Sequence, residues 1–265
     1  MREGKPEVFL VAKTELVEGG LEDYLQSIGS PDWAPNAPSG GEALVEAAGR
    51  MCYRSWQAYD PSKPDATNPN VTKVREGNDV YLGNILKVGH GSILEHVSAT
   101  FICKDVSRVF THELVRHRAG CAYSQESLRY VRLTDLKFWL PPEVVENPKA
   151  VELFNEAVLY AETVQVRLAD IYGIEDMKDF NKKKQLTSMF RRLAPIGLAT
   201  SIMFTANIRA LRHIIEMRTS PHAEIEVRVV FDEIARICKN EWPNFFQDMK
   251  PGESEYEWSF AHSKV

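Results

Sequence analysis

Residues 113–130 constrain the fold of this chain most strongly, because they contain almost no apolar side chain after Val115. A buried helix or strand needs apolar residues at a fixed period, and this segment lacks one. It presents hydrogen-bonding side chains instead. These are Arg116, His117, Arg118, Tyr123, Ser124, Gln125, Ser127 and Arg129. We therefore expect an irregular stretch that begins at the end of a helix and presents donors to a ligand.

The donors in this segment suit a phosphate ligand. An arginine side chain binds phosphate through two parallel N–H groups, and Ser, Gln and backbone N–H groups add further contacts. Gly120 allows the backbone to approach a ligand closely, because it has no Cβ. Considered alone, however, a run of charged residues is more often a solvated surface than a site. Both interpretations stay open at this point.

The composition predicts a globular protein and disfavours general nucleic-acid binding. The chain has 265 residues, of which 44% are hydrophobic and 10% aromatic, and this is enough for a substantial core. Its net charge is −5, so the basic segment is a local feature of an acidic protein. Nonspecific binding to nucleic acid needs a broad basic surface. We therefore expect no nucleic-acid partner.

Cysteine spacing and hydropathy argue against several other classes of protein. The four cysteines, Cys52, Cys103, Cys121 and Cys238, form no Cys-x-x-Cys pair. We therefore expect neither a zinc site nor a disulfide framework. The sequence shows no N-terminal signal pattern and no apolar run of about 18 residues. These features predict a cytoplasmic protein with no metal site and no membrane partner.

Hydrophobic periodicity predicts strands interleaved with helices. Strands are expected over residues 7–11, 96–103, 129–133 and 137–140, and residues 202–206 are either a strand or a buried connector. Helices are expected over residues 42–53, 107–115, 147–172, 182–193, 207–218 and 222–240, and in a segment capped by Asp79. Leu153 and Tyr160 are expected on the apolar side of helix 147–172.

The order of these elements indicates a single domain. It lacks a regular βαβ alternation, which favours the α+β class, with a mixed or antiparallel sheet flanked by helices. Residues 1–265 are read as one domain, in which residues 55–78 form a loop insertion. Residues 245–265 are read as a tail.

The basic segment resembles the signature of flavin-dependent thymidylate synthases. In that family Arg-His-Arg is followed, after seven residues, by Ser-x-Arg-Tyr. This chain carries Arg116-His117-Arg118, then eight residues, then Ser127-Leu128-Arg129-Tyr130. The additional residue lies within residues 119–122, because the stretch at 123–125 fits the family pattern.

Three further blocks resemble this family and follow in the family's order. Residues 89–96 resemble its histidine-rich turn, in which His90 and Ser92 would lie near the flavin. Residues 191–195 resemble its Arg-x-x-x-Pro helix end, where Arg191 would bind the nucleotide. In residues 207–224, Arg218 and His222 match an Arg-x-x-x-His pair. The helical spacing of this block means that one helix could present flavin contacts at its start and Arg218 at its end.

The resemblance implies an enzyme that reductively methylates dUMP to dTMP. It implies 5,10-methylenetetrahydrofolate as the carbon donor and FAD, reduced by NADPH, as the source of hydride. It also implies a homotetramer whose subunits share active sites. A nucleophilic cysteine is not needed in this scheme, although Cys121 lies within the signature segment.

The resemblance also implies three sets of site residues. The catalytic set is Arg218, Ser127 and His90. The flavin-binding set is Ser92, Arg116, His117, Arg118, Gln125, Asn207, Arg209 and His213. The substrate-binding set is Glu113, Arg116, Gln125, Glu126, Ser127, Leu128, Arg129, Arg191 and Arg218. Arg218 would stabilise negative charge on the pyrimidine, since a guanidinium stays charged, and Ser127 would orient the substrate.

Two other functions stay open. An enzyme of the same fold could methylate another pyrimidine monophosphate such as UMP, because the eight-residue gap departs from the family pattern. Alternatively, residues 116–129 could belong to a non-catalytic module that grips the phosphates of nucleotides or nucleic acid. Such a module would bind no flavin, and its binding would depend steeply on salt. The net charge of −5 argues against it.

Overall fold

A computed structural model describes residues 2–128 and 136–263, which form a sheet with helices packed against it. The strands are β1 (Arg2–Glu3), β2 (Glu7–Lys13), β3 (Ser98–Ser107), β4 (Cys121–Gln125), β5 (Lys137–Phe138), β6 (Ala199–Asn207), β7 (Met249–Pro251) and β8 (Trp258–Phe260). The helices are α1 (Gly20–Ser27), α2 (Gly40–Tyr53), α3 (Asn78–Val88), α4 (Arg108–Leu114), α5 (Pro142–Val145), α6 (Pro148–Ile171), α7 (Phe180–Phe190), α8 (Ile208–Arg218) and α9 (Ile225–Glu241). Short 3-10 helices cover Gly91–His96 and Arg191–Leu193.

The main sheet has the strand order β2-β3-β6-β4, and each neighbouring pair is antiparallel. Side chains alternate across it: Ala99, Phe101 and Cys103 of β3 are buried, whereas the residues between them are partly exposed. An antiparallel sheet that packs on one face shows this alternation. The prediction of a single α+β domain with antiparallel strands is confirmed.

The core lies between the sheet and the helices α8 and α9. Phe204 of β6 stacks on Phe101 of β3, with ring centroids 5.4 Å apart. Phe204 also packs against Phe231 of α9, at 6.4 Å. Each buried aromatic side chain contributes about 1.5–3 kcal/mol to stability. This packing positions the end of β6, from which α8 and its site residues extend.

Most predicted elements are present, with ends that differ by a few residues. Helix α8 begins after Asn207, whose side-chain oxygen accepts a hydrogen bond from the N–H of Ala210 at 2.8 Å. Such a cap satisfies a backbone donor at the start of a helix. The prediction that Asp79 caps α3 is wrong, because Gly77 occupies the cap position and Asp79 lies in the first turn. A negative charge is favourable there because of the helix dipole.

Two predicted strands lie around the gap in the description. The strand predicted over residues 129–133 lies outside the described residues. The strand predicted over residues 137–140 is reduced to β5, which pairs in parallel with β1. Propensity could not predict this pairing, because it depends on residues distant in sequence.

Helix α6 is present, but its predicted apolar side is not its buried side. Leu153 and Tyr160 are 65% and 70% exposed. Val158 and Gln165 are buried instead, and the Gln165 amide donates to the backbone oxygen of Phe190 at 3.1 Å. Periodicity shows that a helix has an apolar stripe, but only tertiary packing decides what covers it. Within the described ranges, no helix combines the length and apolarity needed to cross a membrane.

Residues 55–77, which the sequence indicates as a loop, contain no helix or strand. A buried ion pair holds both ends of this loop. Glu46 and Arg50 lie one turn apart on α2 and are joined at 2.6 Å, with side chains 3% and 4% exposed. The Arg50 guanidinium also donates to the backbone oxygens of Ser55 and Arg75, both at 2.8 Å. One side chain therefore ties the two ends of the loop to α2.

Residues 245–263, which the sequence indicates as part of a tail, are folded in the structure. The hairpin β7–β8 is antiparallel, and its residues Trp258 and Phe260 are buried. Asp248 accepts hydrogen bonds from Arg212 of α8 through both carboxylate oxygens, at 2.7 and 2.9 Å. Strands of three residues are too short to show a period in the sequence.

Candidate active site

The turn between α4 and β4 carries the basic part of the site. Helix α4 ends at Leu114, and residues 115–120 lead the chain into β4. Gly120 has a φ of +70°, and a Cβ there would collide with the side chain of Asn207. The Asn207 N–H donates to the Gly120 oxygen at 3.0 Å. A glycine is therefore required where this turn meets the start of α8.

A cavity of about 490 Å³ opens between this turn and α8, and we call it the turn cavity. Its lining residues are Glu95, Arg116, His117, Arg118, Ala119, Gly120, Asn207, Arg209, Ala210, His213, Ile214 and Ser263. Most of the predicted flavin-binding residues are among them. Arg209 is paired with Glu95 at 2.6 Å. Because the lining carries three arginines and one carboxylate, it is cationic and suits an anionic ligand.

His117 lies in the turn cavity and is kept neutral. Burial lowers its pKa to about 4, and the cations Arg218 and Arg116 act in the same direction. Arg218 Nε donates to His117 Nε2 at 2.8 Å. A neutral ring that accepts this hydrogen bond at Nε2 carries its proton on Nδ1.

Arg218, at the end of α8, is held by further hydrogen bonds to Glu113. Its Nη1 donates to Glu113 Oε2 at 2.6 Å, and its Nη2 donates to the Glu113 backbone oxygen at 2.9 Å. Arg116 donates to the same carboxylate at 3.1 Å. Although burial acts against the shift, the two arginines lower the pKa of Glu113. The carboxylate is therefore charged at neutral pH, and it fixes the orientation of the Arg218 guanidinium.

A second cavity, of about 370 Å³, is lined by α4, the end of β4 and the chain around the second 3-10 helix. We call it the arginine cavity. Its lining residues are Arg108, Thr111, His112, Val115, Gln125, Leu128, Arg191, Ala194, Pro195 and Ile196. It thus brings together the predicted substrate-binding residues Gln125, Leu128 and Arg191.

Arg108 is a lining residue that the sequence analysis missed. Its guanidinium donates to the backbone oxygen of Glu126 at 3.0 Å, but its Nε is buried with no hydrogen-bond partner in the described part of the chain. Burial and the nearby Arg191 lower the pKa of Arg108, although Glu126 opposes the shift. Two close cations and an unused donor suit an anionic ligand. Arg108 and His112 lie one turn apart on α4 and both line this cavity, and this spacing is the signal that would have found Arg108.

Helix α4 and strand β4 connect the two cavities. Gln125 Nε2 donates to Thr111 Oγ1 at 3.1 Å. The Tyr123 hydroxyl donates to the backbone oxygens of Leu114, at 3.1 Å, and of His117. These bonds hold β4 against the end of α4 and the turn that follows. The linings of both cavities therefore share one rigid frame.

His90 and Ser92 lie apart from both cavities. They are exposed at the start of the 3-10 helix Gly91–His96. The His90 ring stacks on Tyr53 with ring centroids 5.8 Å apart, and the Tyr53 hydroxyl lies 3.2 Å from His90 Nδ1. Neither residue is among those that line the turn cavity or the arginine cavity.

The remaining predicted residues are distributed around the two cavities. Glu126 accepts a hydrogen bond from the Ser201 N–H at 3.3 Å, and Ser127 follows it in the chain. Arg129 lies outside the described residues. The assignment of individual residues to cofactor or substrate stays a prediction. Ser263 was not predicted as a site residue, because no local motif marks it.

The site offers binding and polarisation rather than a nucleophile. Burial raises the pKa of the Cys121 thiol, although a hydrogen bond with Tyr123 opposes the shift. A protonated thiol is a poor nucleophile. Across residues 2–128 and 136–263, no group of three or more His, Cys, Asp or Glu side chains is arranged to hold a metal ion.

The fold carries two cationic cavities, and the lining of each suits an anionic ligand. The model of the Thy1 family, described as thymidylate synthase complementing protein, matches residues 36–244. This chain belongs to that family. The prediction drawn from the motifs at residues 89–96, 116–130, 191–195 and 207–224 is thereby confirmed.

Curated relatives match most of the chain. The flavin-dependent thymidylate synthase of Mycobacteroides abscessus is 39% identical over 225 residues, which is 82% of each chain. The enzyme of the same name from Mycolicibacterium vanbaalenii is 37% identical over 253 residues, covering 92% of this chain and 89% of the relative. These relatives support the predicted enzyme class.

Two solved structures share the fold. The UMP/dUMP methylase PolB from Streptomyces cacaoi, bound with 5-Br dUMP, superposes with a TM-score of 0.64 at 18% identity, covering 93% of this chain and 96% of that chain. Thymidylate Synthase X from Helicobacter pylori, with FAD and dUMP, superposes with a TM-score of 0.56 at 20% identity, covering 92% and 98%. At these identities the likeness establishes the fold alone.

Proposed function

We propose that this chain is a flavin-dependent thymidylate synthase that converts dUMP to dTMP in the cytoplasm. In this proposal 5,10-methylenetetrahydrofolate donates the carbon, and FAD reduced by NADPH provides the hydride. The observation that carries the proposal is the pair of cationic cavities on one frame, together with Arg218, which Glu113 holds in place and which donates to His117 of the turn cavity. Curated relatives at 37–39% identity carry this name over most of the chain.

We assign FAD to the turn cavity. Arg116, Arg118 and Arg209 line it, and guanidinium groups bind phosphate through paired N–H donors. Gly120 and Asn207 line the same cavity, and the absence of a Cβ at Gly120 lets the Asn207 side chain pack against the turn. When reduced and bound, FAD supplies the hydride, while the residues of this chain bind and orient it.

We assign the nucleotide monophosphate to the arginine cavity. Arg108 and Arg191 provide two cations for a phosphate group, and among the described residues the buried Nε of Arg108 has no hydrogen-bond acceptor. Gln125 lines the same cavity and is held by Thr111. In this assignment Ser127 and Arg129 contribute to orienting the nucleotide. Fixed orientation of two reactants removes much of the entropic barrier of a bimolecular step.

We assign to Arg218 the stabilisation of negative charge on the pyrimidine. The C5 carbon of uracil is weakly nucleophilic, so its methylation is helped by a cation that favours charge on the N3, O2 and O4 side of the ring. Arg218 is suited to this role, because a guanidinium stays charged. Its bonds to Glu113 and His117 fix its plane, so that little reorganisation is needed during the reaction.

We further propose a homotetramer with shared active sites. Leu153 and Tyr160, two turns apart on α6, are 65% and 70% exposed. Phe9 and Val11 on strand β2 are exposed as well. Exposed apolar side chains that share one side of a helix or of a strand favour an interaction site. Assembly would explain why His90 lies outside both cavities of its own chain, since it would complete a cavity of another subunit.

Methylation of UMP is the second candidate. The fold is shared with an enzyme described as a UMP/dUMP methylase. The two nucleotides differ at the 2′ position, where UMP carries a hydroxyl group. A comparison of the two as substrates therefore decides between the candidates.

The proposal is tested by visible spectroscopy of the purified protein. We expect a flavin spectrum, or its appearance when FAD is added, that bleaches with NADPH in the absence of air. The bleaching should be faster with dUMP than with no nucleotide, and slower with UMP than with dUMP. Faster bleaching with UMP would favour the second candidate. A colourless protein that does not bind added FAD would contradict both candidate functions. It would favour the non-catalytic module that grips phosphate.

A further inference from the structure

The last described residue of the chain lines the turn cavity. Ser263 is one of the cavity-lining residues, although α9 and the hairpin β7–β8 separate it from α8 in sequence. Its side chain is exposed, so hydrophobic burial does not hold it there. Its position therefore requires a polar anchor.

A buried ion pair between α8 and the segment before the hairpin supplies this anchor. Arg212 and Asp248 are 2% and 8% exposed in their side chains and are joined at 2.7 Å. Asp248 Oδ2 also accepts a hydrogen bond from the His262 N–H at 3.0 Å. Arg212 Nη2 donates to the His262 oxygen at 3.3 Å, and the Asp248 backbone oxygen accepts from the Ala261 N–H at 3.2 Å. Both residues before Ser263 are thus held by their backbones.

Arg212 of the anchor lies on the same helix as several residues that line the cavity. Arg212 lies between Arg209 and His213 in α8, and these two neighbours line the turn cavity. Arg212 points to the other side, where its guanidinium lies 4.5 Å from the Phe260 ring centroid. Helix α8 therefore contacts the cavity with one face and holds the end of the chain with another.

We propose that Ser263 forms part of the wall of the flavin cavity and faces the anionic part of the bound flavin, and that Ala261 and His262 hold it in this position. Arg212 and Asp248 are positioning residues in this proposal, since they act through the chain that they hold. The proposal rests on the proposed function, because it takes the ligand of the turn cavity to be FAD. The cationic lining formed by the arginines is what identifies the facing part of the ligand as anionic.

The test places a carboxylate at Ser263, with the same change at Ser259 as a matched control. Ser259 is also exposed and is not among the cavity-lining residues. Ser263→Asp introduces a negative charge among groups that bind an anion. We therefore expect the Kd for FAD, measured by flavin fluorescence at low salt, to rise about tenfold. Ser259→Asp should leave this Kd within about twofold of the wild-type value, since water and ions screen distant charges.

Two further measurements distinguish a direct role of this segment in flavin binding from a general loss of structure. The effect of Ser263→Asp should shrink in high salt, because screening weakens repulsion between charges. A chain that ends at Phe260 should also bind FAD more weakly, while its thermal unfolding without flavin changes little, since Trp258 and Phe260 remain in the core.

Two patterns of results would overturn this inference. In the first, wild-type protein, Ser263→Asp and the shortened chain bind FAD with the same Kd. In the second, the two aspartate variants lose affinity equally. Wild-type protein that binds no FAD would instead contradict the proposed function, so the two failures are distinguishable.

Discussion

At the scale of single residues, the partners of an arginine decide its role in this site. Arg218 and Arg192 both follow apolar helical segments and look alike in the sequence. Neither of them is among the residues that line the two cavities, but Arg218 is largely buried and donates to Glu113 and to the cavity residue His117, whereas Arg192 is exposed. A fixed guanidinium can stabilise charge that develops during a reaction, whereas a solvated one cannot do so to the same extent.

Replacing Arg218 by lysine should distinguish the effect of its positive charge from the effect of its fixed hydrogen-bond geometry. Lysine keeps the positive charge but cannot bind the Glu113 carboxylate as a fork while donating to His117. We expect kcat to fall about 100-fold, with the Kd for FAD little changed. Arg192→Lys is the matched control and should keep kcat within about twofold. Steady-state kinetics with dUMP measures both, and a wild-type kcat in Arg218→Lys would contradict the role assigned to Arg218.

The neutral state of His117 makes stability depend on pH. Its pKa is about 4 in the folded protein against an ordinary value of 6.5. Because the folded pKa is the lower of the two, the unfolded chain binds the proton more tightly, and protonation favours unfolding. The contribution of His117 to stability is therefore complete above pH 6.5 and is lost as the pH falls toward 4.

Urea unfolding at two pH values measures this effect. Between pH 7.5 and 4.5, we expect the wild-type free energy of unfolding to fall by about 1–2 kcal/mol more than that of His117→Gln, after a discount for the partial exposure of the ring. The same substitution at the exposed His96 is the control and should leave the wild-type pH dependence intact. If His117→Gln and the wild type lose stability in parallel, His117 is not the group responsible.

At the scale of elements, buried ion pairs attach irregular segments to helices. Arg50 and Glu46 hold residues 55–77 against α2, and Arg212 holds the C-terminal hairpin against α8. In the sequence these residues look like the solvated polar face of an amphipathic helix. Their burial is decided by segments that return to the helix from distant parts of the chain.

Breaking the first of these pairs should destabilise the protein strongly. Arg50→Met leaves the buried Glu46 carboxylate without its cation and frees the oxygens of Ser55 and Arg75. We expect a loss of about 3–5 kcal/mol in the free energy of unfolding, measured by urea unfolding. Proteolytic cleavage within residues 55–77 should become faster.

Two further variants define the cause of this loss. A Glu46→Gln/Arg50→Met double variant should regain part of the stability, because no uncompensated buried charge remains. Arg54→Met removes an exposed arginine that donates to the Pro64 oxygen and should cost less than about 1 kcal/mol. Equal losses at Arg50 and Arg54 would show that the buried pair does not anchor the loop.

At the scale of the whole molecule, α6 exposes the apolar side chains of Leu153 and Tyr160, and the described residues of a single chain do not bury them. Leu153→Glu/Tyr160→Glu should reduce the molar mass measured by light scattering to that of a smaller assembly, because charge is costly in an apolar interface. Activity should fall with it if subunits share active sites. The control, Lys149→Glu/Arg167→Glu, adds charge at exposed polar positions of the same helix and should keep the mass. An unchanged mass for the first variant would contradict this interface.

The sequence by itself determined the family and most of the elements. The spacing of the motifs at residues 89–96, 116–130 and 207–224 identified the chemistry, because local order is kept within one turn or one helix. The position of Arg218 at the end of α8 followed from helical spacing alone. The alternation in β3 predicted a half-buried strand for the same reason.

Only the tertiary structure decided which donors share a cavity. Arg218 meets Glu113 and His117 across a long separation in sequence, and Arg108 lines the same cavity as Arg191 although no motif includes Arg108. The end of the chain reaches the turn cavity because Arg212 and Asp248 hold it there. These contacts depend on which surfaces the core brings together, and local periodicity carries no information about them.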